Sequence, residues 1–484
     1  MHRLLPSAPV RSPDPFLRLE PRELTRALEC ALAGGARFAE IFLEHRITRF
    51  LRREEGRLRG ASASVDFGAG VRAVAGSGTG YAWTSSPDGE SLRLAAEAAA
   101  RIGTGREREP PRALAGAPPA LSPLSPGQIP DLEWPIERRA SYLASLDDAA
   151  HGGDPRVVEV IGSIAEDFRT IRVINTASVD STDRQVLTSI RAAVFVRGPD
   201  GTLRGQYGGG GREEFASLAA GRLAPGAVAA EALRRALVGV EAVAAPTGEM
   251  PVVIGNGWGG VLLHEAIGHG FEADFVRRGT SIFAGKLGEQ VSRHGVTVVD
   301  DPGVAGLRGS YRMDDEGTPA ARTTLIEDGV LTGYLHDLIS ADALSARATG
   351  NGRRASFRNP PVPRQSNLFL EPGAGSPEEI ISSVGRGIYA KGIGGGQVDI
   401  VNGRFVFEVT EGYLIEAGRI TAPVRGANLI GSGAGVLNLI ERIGSDFSFD
   451  PGTGTCGKDG QSQPVGVGQP TVLVSAMTIG GTKL

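Results

Sequence analysis

The stretch that most restricts what this chain can fold into is His264-Glu265-Ala266-Ile267-Gly268-His269. It follows an apolar run, Met250-Pro251-Val252-Val253-Ile254-Gly255, which reads as a buried strand. Asn256-Gly257-Trp258-Gly259-Gly260 lies between, and Val261-Leu262-Leu263 leads into the motif. Asn256 is placed to cap a helix and Gly270 to end it. The expectation is a mostly apolar helix of roughly three turns carrying two histidines and a carboxylate. Burying three such groups is costly unless something pairs them, and a divalent metal ion would do so.

The spacing is unusual. In the zinc-protease motif H-E-x-x-H the histidines stand at i and i+4 on one helix face. Here the second histidine falls at i+5, and at about 100° per residue it lies roughly 140° round the helix from the first. A bulge or a broken turn, which Gly268 would permit, brings both rings to one ion. In an unbroken helix, Glu265 and His269 are the pair that meets. Without a metal, the stretch is a helix with two solvated or capped histidines.

A second segment stands near the far end of the chain: Gly452-Thr453-Gly454-Thr455-Cys456-Gly457-Lys458-Asp459-Gly460-Gln461, running on to Gln469-Pro470. With it belong Phe271 to Thr280, Gly317-Thr318-Pro319-Ala320, Leu325-Ile326-Glu327-Asp328-Gly329 and Gly333-Tyr334-Leu335-His336-Asp337. Gly350-Asn351-Gly352-Arg353-Arg354, Tyr389-Ala390-Lys391-Gly392 and Gly394-Gly395-Gly396-Gln397-Val398-Asp399 complete the set. Together these blocks are highly specific, and over most of its length the chain strongly resembles the metal-bearing members of the TldD/PmbA family of intracellular metallopeptidases.

The resemblance implies a zinc ion held by His264, His269 and Cys456, with Glu265 as the general base. All four positions keep the family pattern, H-E-x-x-x-H and a distant cysteine. Two imidazoles and one thiolate leave a tetrahedral position open for water, as in catalytic rather than structural zinc sites. A metal lowers the pKa of that water, and a neighbouring carboxylate takes its proton as a carbonyl is attacked. Cys456 is expected in a glycine-rich loop. The implied activity is hydrolysis of unfolded or extended peptides in the cytoplasm, with a PmbA-like (TldE-like) partner in a heterodimer.

A length of 484 residues suggests two or three domains. The expected division is a loose tail over 1–20, an N-terminal α+β domain over 21–245 and a C-terminal metallopeptidase domain over 246–484. A net charge of −4 and a pI of about 6.1 point to neither nucleic acid nor membrane binding. With 70 glycines and no collagen-like period, the chain reads as β-rich, with many turns and close-packed backbones. Two cysteines argue against a disulfide scaffold and suit a reducing cytoplasm. Cys30 falls in an amphipathic helical pattern and reads as a core residue. No export signal is evident, and no apolar run is long enough to span a membrane.

The expected fold class is α+β. Helices are expected over Arg22–Ala33, from Ser86 to about Ala100, over Pro135–Ala150 and over Gly226–Val243. The inward residues are expected to include Leu92, Leu94 and Ala95 in the second, and Ala230, Leu233 and Leu237 in the last. Strands are expected over 39–49, 50–59, 71–75, 80–84, 157–165, 170–178 and 185–196, with a linker over Pro110–Pro126. The arginine-rich 50–59 stretch reads as a solvated edge strand, which could also pair with an extended peptide. Tyr207-Gly208-Gly209-Gly210-Gly211 reads as a flexible turn. Beyond 246, strands over 296–299, 323–326, 333–336, 398–401, 405–409 and 471–476 suggest a largely antiparallel sheet or distorted barrel around the zinc-binding helix.

His336 is either an oxyanion-stabilising or a structural group. Asn351, Arg353, Arg354, Lys391 and Lys458 either contact substrate or pin loops. Gly394-Gly395-Gly396 offers close approach to another backbone. No serine-hydrolase elbow is present. Two rival readings stand beside the peptidase: a zinc hydrolase of non-peptide amides or esters, and a non-catalytic peptide-binding or modulator protein with a structural metal. A fourth strong ligand would favour the latter.

Overall fold

The structure, a computed structural model, describes residues 19–76, 78–103, 136–199, 201–398 and 403–481. The expected linker over 110–126, most of the 1–20 segment and most of the 398–401 strand lie outside them. Leu19, expected to end a loose tail, is buried in a core cluster.

The N-terminal half is built on β1 (Phe38–Glu54), β2 (Arg57–Ala75), β3 (Gly78–Thr84), β4 (Val157–Asn175), β5 (Asp180–Gly198) and β6 (Gly201–Gly211). They form an antiparallel sheet in the order β3-β2-β1-β4-β5-β6. Glu55 and Gly56 both have positive φ, 49° and 66°, the two-residue turn that right-twisted strands favour. The arginine-rich stretch is therefore no separate edge strand. β1 carries it to Glu54, paired with β2 on one side and, as far as Arg53, with β4 on the other. Beyond the turn, residues 57–59 open β2, whose ladder to β3 covers only 69–75, so that end keeps the expected open edge. β4 likewise continues through 166–169, where a break was expected.

Helices cover one face in two groups. α1 (Pro21–Leu32) and α2 (Gly89–Gly103) bury Leu24, Ala27, Leu92 and Ala96 against Ile41, Leu43 and Val71. α3 (Ile136–Gly153) and α5 (Pro225–Glu241), with α4 (Phe215–Ala220) beside them, pack on Val160, Ile164 and Val194. Leu94 points outward at 52% exposure, because the small face of Ala95, Ala96 and Ala99 lets α2 approach closely. In α5 the inner face is Val228, Ala229, Ala232, Leu233 and Ala236, while Ala230 is exposed. Across the sheet, Phe42, Ile171 and Val173 meet Met313 and Phe357 of the C-terminal half.

The glycine run is a strand, not a flexible turn. A Cβ at Gly209 would stand 2.6 Å from the Pro451 carbonyl oxygen, and one at Gly211 would overlap that of Gly306. These glycines let β6 lie directly against C-terminal backbone.

In the C-terminal half, strand Gly248–Ile254 pairs antiparallel with Val472–Gly481 and parallel with Arg386–Val398. Val472–Gly481 pairs with Ala427–Ser432, which pairs with Arg404–Glu416, which returns to Arg386–Val398. The ring closes, so the expected barrel is present, with one parallel seam. A second sheet runs Val330–Leu331, Thr323–Glu327, Val298–Asp300, Asn367–Leu370, Gly466–Gln469, Ser448–Phe449. The expected 333–336 strand is absent. Leu335 instead bonds Phe271 and Ala273 through its N–H and C=O, at 2.8 and 2.9 Å, and so clamps the chain just beyond the histidine motif.

Candidate metal centre

The motif does not form a three-turn helix. After strand Gly248–Ile254 the chain makes a 3₁₀ turn over Gly257–Gly260, then α6 (Val261–Ala266), and breaks at Ile267 with φ −130° and ψ −31°. It resumes as a 3₁₀ turn over Gly268–Phe271, followed by α7 (Ala273–Arg277). Asn256 does not cap; its amide donates to the Asp446 carbonyl at 2.8 Å. The broken turn puts the His264 and His269 rings 5.3 Å apart, centroid to centroid. Gly268 serves this break by space rather than by left-handed φ. A Cβ there would overlap the Gln365 side-chain amide oxygen.

Cys456 sits on a strand, not in a loop. Thr455–Lys458 pairs with Gln461–Pro464 as a hairpin, turned at Asp459 and Gly460 with φ of 50° and 70°. Strand alternation turns Cys456 and Lys458 inward. The Cys456 Sγ lies 3.2 Å from His269 Nε2, and ligand atoms of His264, His269 and Cys456 all lie within 4.8 Å of one another. A tetrahedral zinc with N and S ligands would set an N–S separation of about 3.5 Å. The donor set fits such an ion. His264 is 2% exposed, and neither of its ring nitrogens has a hydrogen-bond partner, a combination a metal would resolve.

His269 Nδ1 meets Glu272 Oε2 at 2.9 Å, which fixes the ring and leaves Nε2 facing Cys456. Burial raises the Cys456 thiol, but the two imidazoles more than reverse this and hold it well below its usual value. The thiolate is the ligating form. Burial lowers His269, while Glu272 and Cys456 lift it well above an ordinary histidine. Glu265 keeps 28% side-chain exposure, with Oε2 3.8 Å from His269 Nε2.

A supporting shell surrounds the ligands; of its residues the sequence reading marks Lys458 but misses Glu272 and Arg364. Lys458 Nζ donates to Glu272 at 3.0 Å, to Asp274 at 2.7 Å and to the Pro363 carbonyl at 3.0 Å, and stands over the Phe275 ring. Arg364 donates to the Cys456 carbonyl at 2.6 Å and the Gln461 carbonyl at 3.1 Å. Burial raises the Glu272 carboxyl, but Lys458 and His269 hold it far below the usual carboxylate range. Glu272 stands three residues after His269, and that i, i+3 spacing was the available signal.

Of the remaining sequence candidates, Asn351, Arg353, Arg354 and Lys391 all bond within the protein. Asn351 donates to Asp300 at 2.9 Å and to the Arg364 carbonyl at 3.0 Å. Arg354 is fully buried against Glu40, and Lys391 donates to Glu411 at 2.9 Å. Arg353 donates to the Gln365 and Pro464 carbonyls at 2.6 and 2.7 Å. His336 is buried outside the three-ligand cluster, with its backbone N–H on Thr349 Oγ1 at 2.7 Å.

Fold and site together define a mostly β, mixed α+β protein with a candidate three-ligand metal centre. Families described as PmbA/TldA metallopeptidase match three stretches: domain 1 at residues 39–103, the central domain at 129–240 and the C-terminal domain at 247–481. The chain belongs to this PmbA/TldD metallopeptidase family. It is 41% identical to a "Metalloprotease TldD homolog" of Haemophilus influenzae, over 89% of this chain and 90% of that protein. It is 35% identical to a protein of the same description from Buchnera aphidicola, over 99% and 98%. A Saccharolobus solfataricus protein described as "Zinc metalloprotease TldD homolog" is 32% identical over 48% of this chain and 52% of its own length. The crystal structure of TldE from Thermococcus kodakarensis shares the fold, with a TM-score of 0.73 at 19% identity, over 95% of this chain and all of that one. A Thermotoga maritima protein described as a candidate modulator of a DNA gyrase shares it too, with a TM-score of 0.77 at 21% identity, over 95% and 99%. No helix among the described residues is long and apolar enough to cross a membrane.

Proposed function

We propose that this chain is a zinc-dependent peptidase that hydrolyses unfolded or extended peptides, with His264, His269 and Cys456 as zinc ligands and Glu265 as the base. The observation that carries the reading is the convergence of three buried donors beside one carboxylate that still reaches solvent. Zinc bound there would supply a Lewis acid that polarises the scissile carbonyl and acidifies water. Glu265 Oε2 accepts the proton during attack and returns it to the departing amide nitrogen. Glu272 orients His269, and Arg364 and Lys458 hold the Cys456 hairpin in place.

The names of the relatives support a peptidase over a hydrolase of small amides, and one of those names specifies zinc. The family resemblance supports a PmbA/TldE-like partner in a heterodimer. Both cysteines are free thiols, which suits a cytoplasmic setting. A fourth strong ligand, the mark of a structural metal, does not join the cluster among the described residues.

The test is zinc content by mass spectrometry beside peptide cleavage. About one zinc per chain is expected, lost or much weakened in Cys456→Ala. Glu265→Gln is expected to keep the zinc and stop cleavage. Normal cleavage by Glu265→Gln would remove the assigned base, and zinc unaffected by Cys456→Ala would remove that ligand.

A further inference from the structure

A cavity of about 170 Å³ lies between the N-terminal sheet and the C-terminal half, bounded by residues of β4, β5, the 308–315 and 353–355 segments and the Cys456 hairpin. Six arginines line it: Arg46, Arg169, Arg212, Arg308, Arg353 and Arg354. Three are neutralised in place. Arg46 pairs with Asp167, Arg169 with Glu44 and Asp315, and Arg354 with Glu40. The other three meet no carboxylate among the described residues.

Arg308 donates to the Gly454 carbonyl at 2.6 Å and to Thr455 Oγ1 at 3.3 Å. Arg353 donates only to carbonyls, as described above. Among the described residues Arg212 makes no side-chain hydrogen bond, and its buried Nε has no partner. Gln463, opposite Cys456 in the hairpin, adds a second buried orphan donor at the same cavity, Nε2. Burial, with like-charged neighbours, presses Arg212 down to about 9 and Arg308 to about 10. Asp167, Asp314 and Asp315 also line the cavity, but none of them contacts these three guanidinium groups. Such groups are costly there unless an anion joins them, and their planar forks match a carboxylate in two-point contact.

The position narrows the anion. Thr455 and Pro464, which line the cavity, form the register pair next to Cys456 and Gln463. Thr455 and Pro464 face the other side of the ladder, but Gln463, the register partner of Cys456, also lines the cavity, so the cavity reaches the hairpin position that carries the third ligand. We infer that the Arg212–Arg308–Arg353 cavity is an anion subsite that takes the C-terminal carboxylate of a bound peptide. The inference rests on the peptidase reading for the identity of the ligand, and it selects peptides with a free C-terminus over amidated ones.

The test measures binding by calorimetry to the zinc-loaded Glu265→Gln protein. The probes are a six-residue peptide of Ala, Gly and Leu with a free C-terminal carboxylate, its C-terminal amide, and inorganic phosphate. The free acid should bind about tenfold or more tightly than the amide, as two charge-assisted contacts predict. Phosphate should weaken only the acid. Arg212→Gln should erase the difference between acid and amide while leaving zinc content and amide binding unchanged, and Arg308→Gln should reduce it in the same way. Equal binding of acid and amide overturns the inference, as does an acid preference that survives both substitutions. Phosphate binding without an acid preference also overturns it, by assigning the cavity to a free oxyanion. If the acid preference appears but the wild-type protein cleaves no peptide, the subsite stands and the peptidase reading falls.

Discussion

Two buried polar clusters in this molecule have opposite characters. Where the halves meet, Arg72 contacts Glu40 at 2.9 Å and Glu316 at 2.6 Å, and Arg354 also contacts Glu40. Every charge there faces a counter-charge from the other side of the interface, and all four side chains are essentially sealed from solvent. At the metal centre, neither ring nitrogen of His264 has a hydrogen-bond partner, and Cys456 and His269 face each other across 3.2 Å. The first cluster balances charge with charge and joins two parts of the fold. The second presents donors that only an added group can satisfy. Burial, charge and single unpaired atoms do not mark a functional site, since Arg72 Nε and Arg354 Nε also lack hydrogen-bond partners; a convergent set of ligand atoms does.

Several substitutions would break or sharpen that contrast. Glu265→Gln should lower turnover of an unfolded peptide by about 10²–10⁴, the usual worth of a positioned base, with zinc content and thermal midpoint unchanged. Arg72→Met should leave Glu316 buried without its cation and cost about 3–5 kcal/mol of stability, read by urea unfolding, while zinc per folded chain stays the same. If Arg72→Met removed zinc instead, the two clusters would be coupled rather than separate. Glu272→Gln should weaken zinc about 10–100-fold in a chelator competition, because it orients His269 without touching the metal.

The smallest effect concerns Glu411, which lies between these extremes. Burial raises its carboxyl, but bonds from Arg234, Lys391 and Tyr413 hold it down at about 2. A depressed carboxyl stabilises the fold above its ordinary value and loses that contribution as pH falls through the folded one. Wild type should therefore exceed Glu411→Gln in stability at pH 6, and the gap should shrink between about pH 4.5 and 2. A gap that stayed constant over that range would mean the carboxylate is not held by those partners.

Much of the N-terminal half was legible in the sequence because its signals are local. Alternation in 157–165 and 185–196 and the helical face of Leu24, Ala27 and Ala31 depend on neighbours a few residues away. The misreadings came where distant chain intervened. The arginines of β1 looked like a solvated edge until β2 and β4 closed on both sides. Gly209 and Gly211 looked flexible because the backbone they admit belongs to residues 451 and 306. In the site, the donor types, the motif and Lys458 as a candidate were visible, whereas Glu272 and Arg364 looked like ordinary charged residues.

The sequence by itself determined which groups can bind a metal, that their spacing defies a regular helix, and, through the motif blocks, the family. Only the tertiary structure decided between a broken turn and an i, i+4 pair. It broke the helix at Ile267, packed Gln365 against Gly268 and carried Cys456 across 187 residues to His269. The physical reason is range. Propensity and periodicity act over a few residues, whereas a ligand set is assembled by strand pairing and burial between segments that have no contact until the chain has folded.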